Sequence, residues 1–228
     1  AMGYFQASLE YFGRPRLATS RAGIRTAIIK ELGRLLLRRL LYRSSPRPTH
    51  GSVDRRAEEA TRVYWGLALV AASRASEQYL LATLAGLNFS ERKGHLPGIV
   101  QASAALSYVA FYSVSLFRLG RSFLDRAVLL SKHVQDPSTL VPIFTGLAGT
   151  DSMAGQLDSA IEAGLKGREI CRTAGYWQLA HWSFLNAMLL YAYYQKGDLQ
   201  RALAIGEETV RCGEDAGDVF TITNGVWC

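Results

Sequence analysis

Gly155-Gln-Leu-Asp-Ser-Ala-Ile-Glu-Ala-Gly164 and Gly197-Asp-Leu-Gln-Arg-Ala-Leu-Ala-Ile-Gly206 decide how this chain is read. The two stretches stand 42 residues apart, and Gly175 and Gly217 keep the same offset. Self-similarity at a fixed spacing marks a repeat architecture, in which each unit buries its apolar face on the next. Gly155 and Gly197 each open a copy and free the backbone to reverse. Asp198 is placed to cap a helix by accepting from exposed backbone N–H groups. Ala160 and Ala202 are the small residues expected where two helices cross closely. Leu199 and Leu203, four apart, are expected on the buried face beside Ala202, with Leu157 and Ile161 at the same places one copy earlier. The object is a stack of helical hairpins.

Working outward, the remaining signals are helical too. Residues 4–12 form a short apolar segment stopped by Gly13-Arg14-Pro15. A long basic helix is expected from Ser20 to Tyr42, followed by the linker Ser44-Ser-Pro-Arg-Pro-Thr-His-Gly51. Four helix pairs follow, over 54–73 with 75–93, 98–116 with 118–134, 137–153 with 156–173, and 177–196 with 198–215. Gly94 to Pro97 stops the first pair, and Asp136-Pro137 starts the third. From Asp218 the chain looks like the opening of another first helix, whose apolar residues differ from the polar outer face that normally ends a stack. That ending, with Ala1 standing before Met2 at the start, suggests a piece of a longer protein. The resulting organisation is a basic junction over 1–43, a linker over 44–53 and helical repeats over 54–228. The class is all-α, with about four hairpins wound as a right-handed α-solenoid.

The bulk composition agrees and bounds the function. The 228 residues are 49% hydrophobic with six prolines, enough for a sizeable core. Every apolar run is interrupted by Arg, Lys, Glu or Ser before it reaches the length of a membrane span. Three cysteines, Cys171, Cys212 and Cys228, make no close pair, which suggests structural thiols in a reducing, cytoplasmic compartment. Ten Arg or Lys but only two Glu fall within residues 1–50, a net of +8; the remainder is close to neutral. A nearly neutral repeat region argues against nucleic acid as its partner.

The basic helix sets Ile24, Ile28, Leu32, Leu35, Leu36 and Leu40 at roughly i, i+4 spacing, with Lys30, Arg34 and Arg38 stacked on the other side. Arg25 and Arg39 fall inside the apolar arc. Packing against the rest of a parent protein therefore fits better than lying on an anionic membrane, and better than electrostatic binding of nucleic acid.

No cofactor, metal or catalytic residue is assigned. His50, His95, His133 and His181 have no Cys or acidic neighbours at ligand spacing. Cys171 and His181 are a nucleophile and a base on paper, but a lone buried thiol is usually inert. No glycine-rich loop follows a strand, so nothing here binds a nucleotide by that route.

The repeats resemble the tetratricopeptide repeat. Gly197, Ala202, Tyr193 and Leu189 stand at that family's Gly, Ala, Tyr and Leu positions, while Gly206 replaces its aromatic and Asp151 stands at the tyrosine position of the preceding unit. The 42-residue spacing exceeds the family's usual 34. A second resemblance rests on Tyr11-Phe-Gly-Arg-Pro-Arg16, on Ala27 through Tyr42, and on Arg56-Ala-Glu-Glu-Ala-Thr-Arg-Val-Tyr64. It is similar to the start of the helical region in large bacterial signalling proteins known as predicted ATPases, which often carry an adenylate/guanylate cyclase or protein-kinase domain. Their phosphate loop and paired metal-binding aspartates are missing from this chain, so no catalytic role carries over.

The resemblance implies a concave groove lined by the first helices of the repeats. Phe184, Tyr191, Tyr194 and Gln195, with Tyr112 of an earlier unit, are the candidates for it; aromatic and polar groups there suit capture of a protein or peptide. The competing role for such periodic rings is filling space between helices. The expected function is a non-catalytic scaffold or regulatory segment of a signalling ATPase or nucleotide cyclase, whose own catalytic domains are a candidate partner. The alternative is a free-standing adaptor or transcriptional-regulator arm that binds a peptide or small molecule.

Overall fold

A computed structural model describes residues 2–41, 55–72, 76–112, 115–175 and 179–226. Within them are eleven helices and no strand: α1 (Met2–Tyr11), α2 (Arg21–Leu41), α3 (Arg55–Ala72), α4 (Ser76–Lys93), α5 (Leu96–Tyr112), α6 (Phe117–Ser131), α7 (Pro137–Met153), α8 (Leu157–Thr173), α9 (Leu179–Lys196), α10 (Leu199–Ala216) and α11 (Val219–Val226). They group into two compact units, residues 1–115 and 116–228. The expected linker at 44–53 lies outside the described residues.

The first unit is built round α4, whose residues 81–90 are all buried because α2, α3 and α5 each pack on it. Leu9, Ala60, Tyr64, Leu67, Ala85 and Phe89 join α1, α3 and α4 in one core. Gly13, with φ at +68°, ends α1 in a left-handed turn. The Gln6 side chain then pins the following stretch by accepting from the Leu17 backbone N–H at 2.8 Å. Basic α2 belongs to this unit: Ile24 and Leu35 are buried beneath it, and Arg25 pairs with Glu77 at 2.9 Å.

The second unit repeats a simple rule. α7 packs on α8 and on α9, α9 packs on α10 and on α11, and α10 packs on α11. The 42-residue echo is visible in the turns. The Gln156 N–H donates to the Asp151 carbonyl at 2.8 Å, and the Asp198 N–H donates to the Tyr193 carbonyl at 3.0 Å. Gly155 and Gly197 hold φ at +74° and +82°, a region that costs an ordinary residue roughly 1 kcal/mol. Asp198 caps α10 as expected, its side chain accepting from the Arg201 N–H at 3.2 Å.

Two expectations need correction. The pair expected over 98–116 and 118–134 does not form one hairpin within one unit. α5 packs on α4 and α3, whereas α6 packs on α7. Residues 98–107 of α5 are buried throughout, as befits a helix completing the cover over α4. Leu199 and Leu203 are 60% and 64% exposed instead of buried. The face of α10 that packs holds Ala202, Ile205, Gly206, Thr209 and Gly213. Its counterpart on α8 is Ala160, Ala163, Gly164, Gly167 and Cys171. These sets coincide position by position at the 42-residue offset. Helices that approach this closely leave no room for leucine. An added Cβ at Gly206 would stand 2.8 Å from the Gly225 carbonyl oxygen, and one at Gly213 would stand 2.7 Å from the Ile222 nitrogen. At Gly164 the obstacle is the Leu189 side chain, also at 2.8 Å.

Candidate functional site

The candidate surface belongs to α9, the central helix of the second unit. Its apolar composition all round follows from its neighbours, since α7, α8, α10 and α11 enclose it. Leu185 to Leu190 are buried without a break. Only a narrow face is left, and Phe184, Tyr191 and Gln195 fall along it within about 40° of arc at a helix's 100° per residue.

The structure divides the five groove candidates. The Phe184 ring packs edge-on against Phe220 of α11, with centroids 5.1 Å apart, and so fills space between helices. Tyr191 is half-buried and Gln195 is exposed on the same line. Tyr194 is 52% exposed, but about 80° round the helix from Phe184. The side chain of Tyr112 lies outside the described residues. Asn224 of α11 borders the α9 face, donating from Nδ2 to the Ser183 hydroxyl at 3.2 Å.

On the opposite side of α9 lies a polar clamp that the sequence did not reveal. Arg168 of α8 donates from Nη1 to Asn186 Oδ1 at 2.9 Å, and from Nη2 to both carboxylate oxygens of Glu208 at 3.0 and 2.8 Å. Asn186, fully buried, donates in turn from Nδ2 to the Thr209 hydroxyl at 3.0 Å. The Arg168 guanidinium lies 4.7 Å from the centre of the Trp182 ring. One planar guanidinium therefore ties α8, α9 and α10 together, a geometry lysine cannot reproduce. The sequence signal was a buried-pattern Asn in an otherwise apolar helix, which needs partners.

Asp151, at the position where the repeat pattern has tyrosine, is buried. It accepts from the Ser159 hydroxyl at 2.6 Å and lies 3.5 Å from an Arg121 nitrogen, so it links α6, α7 and α8. A carboxylate suits this site because donors converge on it, whereas the equivalent Tyr193 packs among Leu189, Leu190 and Ile205.

The paper pair of nucleophile and base is buried. Cys171 packs with Val141, Trp182 and Leu185, and burial pushes its thiol above the ordinary cysteine range. Such a thiol is protonated at neutral pH. His181 is 4% exposed, and burial lowers its pKa to about 4 against the opposing pull of Asp136, leaving it neutral at pH 7. His95 Nδ1 accepts from the Gly98 N–H at 3.2 Å. His133 is exposed, and His50 lies outside the described residues. Among the described residues, no group of three or more His, Cys, Asp or Glu comes together as a metal site.

The basic cluster is also divided. Lys30 and Arg34 are exposed on α2, with Arg34 paired to Glu31. Arg38 does not stack with them on an outer face. It turns toward α4 and pairs with Glu91, whose side chain is 7% exposed. The reason is helical phase: Arg38 lies on the same side as Ile24 and Leu35, about 60° of arc covering all three.

Comparison of the chain with protein-family models, with curated proteins and with solved structures finds no match.

Proposed function

We propose that this chain is a non-catalytic binding segment, a right-handed α-solenoid of tetratricopeptide-like hairpins that captures a protein or peptide. In a larger bacterial signalling ATPase or nucleotide cyclase, such capture would be coupled to the catalytic domains in a reducing, cytoplasmic setting. One observation carries the reading. The buried faces of α8 and α10 occupy the same five positions at the 42-residue offset, with alanine and glycine repeated at two of them, and α7, α9 and α11 pack in succession beside them. Hairpins that stack by one rule leave their first helices side by side, and a row of first helices is a surface suited to an extended partner. Tyr191 and Gln195 are the two side chains of that row best placed to touch it.

The experiment is selection of displayed peptides against the full chain, followed by titration of the best sequence. Tyr191→Ala and Gln195→Ala should each weaken binding, the tyrosine by about tenfold. Peptides whose affinity is unchanged by both substitutions would remove the α9 face from the proposal.

A further inference from the structure

α2 has two faces with opposite fates. Ile24 and Leu35 are buried on the side toward α4, where Glu31 and Arg38 also point. The opposite side carries Ile29, Leu36 and Leu37 at 71%, 60% and 58% exposure, with Leu32 beside them. At 100° per residue these aliphatic tips form one ridge with Gly33 near its crest. Arg21 borders one edge, with Arg25 just inside it between Leu32 and Leu36, and Lys30 and Arg34 border the other. Glu31 is the only acid in the helix, and it is turned inward, accepting from Asn88 Nδ2 at 2.8 Å. The exposed half of α2 is therefore aliphatic along its middle, cationic along both margins, and without negative charge.

We propose that this face of α2 docks on an anionic lipid surface, with Ile29, Leu36 and Leu37 entering the headgroup boundary and Lys30 and Arg34 meeting lipid phosphates. The arrangement fits a bilayer better than a protein groove. The ridge has no aromatic anchor of the kind that fixes a protein partner. A flat anionic surface meets both cationic margins at once, which is how interfacial helices bind. The Arg25–Glu77 pair is at the surface and too weak to withhold that guanidinium, and Arg34 bonds the inward-turned Glu31 through Nη1 while its own side chain stays half-exposed. Among the described residues no helix is long and apolar enough to cross a membrane, so the contact is one of lying on the surface.

The test is flotation of the full chain with vesicles of phosphatidylcholine alone, or mixed with phosphatidylglycerol. Binding to the mixed vesicles, weakened by salt, is expected. Two variants, Ile29→Ser/Leu36→Ser/Leu37→Ser and Lys30→Glu/Arg34→Glu, should each reduce partitioning by at least about tenfold. Both alter exposed side chains, so their circular dichroism should match the parent. Leu36→Met, which keeps the aliphatic character, should bind as the parent does. The proposal fails if the mixed vesicles capture no protein, or if the triple serine variant binds as well as the parent. It also fails if the parent ignores vesicles but self-associates in a way that the triple serine variant abolishes, since the ridge is then a protein interface.

Discussion

The same substitution, glycine to alanine, should have opposite signs at two helical positions. In a helix interior alanine is favoured over glycine by about 1 kcal/mol. Gly33 in α2 is exposed, and a Cβ there would meet nothing within 4 Å. Gly33→Ala should therefore stabilise the first unit by close to that full amount. Gly206 in α10 faces the α11 backbone. Its Cβ would stand 2.8 Å from the Gly225 carbonyl oxygen and 3.2 Å from Leu190 Cδ1. A carbonyl cannot swing aside as a side-chain tip can, so α11 must shift as a body. Overpacking of this kind costs about 1–3 kcal/mol. Set against the propensity gain, Gly206→Ala should be net destabilising by about 1 kcal/mol, and the loss should concentrate in α11. Native-state hydrogen exchange on the full chain reads both effects, because each unit reports separately. Slower exchange in α2 is expected for Gly33→Ala, and faster exchange over Val219–Val226 for Gly206→Ala. Gly206→Ala with unchanged or stronger protection of α11 would refute the argument that α10 and α11 meet backbone to backbone.

Asn186→Ala should cost about 3 kcal/mol, because it opens a cavity at a fully buried site and strips bonds from Arg168 and Thr209; denaturant unfolding measures it, and a loss under about 1 kcal/mol would show the clamp to be unimportant. His181 makes stability pH-dependent. Its folded pKa of about 4 lies below the unfolded value near 6.5, so the unfolded chain takes up the proton first. Stability should be complete above pH 6.5, fall by about 3 kcal/mol as pH drops to 4, and level off below; His181→Leu should flatten that part of the profile measured by denaturant unfolding. Leu203→Glu should change stability by less than about 0.5 kcal/mol, whereas its neighbour Ala202→Leu should cost about 2 kcal/mol or more by forcing α9 and α10 apart. Thermal unfolding separates the two, and equal effects would contradict the assignment of the buried face.

The glycines that turn the chain were legible because their role is local. A positive φ is a property of one residue, so Gly13, Gly94, Gly155, Gly175, Gly197 and Gly217 announce their turns in the sequence. Helix ends followed from these and from Asp136-Pro137 within a few residues. Leu199 and Leu203 misled because hydrophobicity normally marks a buried face, whereas here close approach selects for small side chains instead. The polar clamp was illegible for another reason. Arg168, Asn186 and Glu208 come from three helices, and nothing along the chain says that their side chains converge.

The amino-acid order by itself determined that this protein is helical, where most of its helices begin and end, and that two of its hairpins are copies. Those properties rest on backbone conformation and on patterns within a few turns, which neighbouring residues settle. Only the tertiary structure decided that α2 joins α4 and turns Arg38 inward, that α5 and α6 belong to different units, and that Phe184 is spent against Phe220 while Tyr191 and Gln195 remain. Each of these depends on which helix covers which face. Helices of similar amphipathicity compete for the same cover, and the winner is set by the summed fit of distant surfaces.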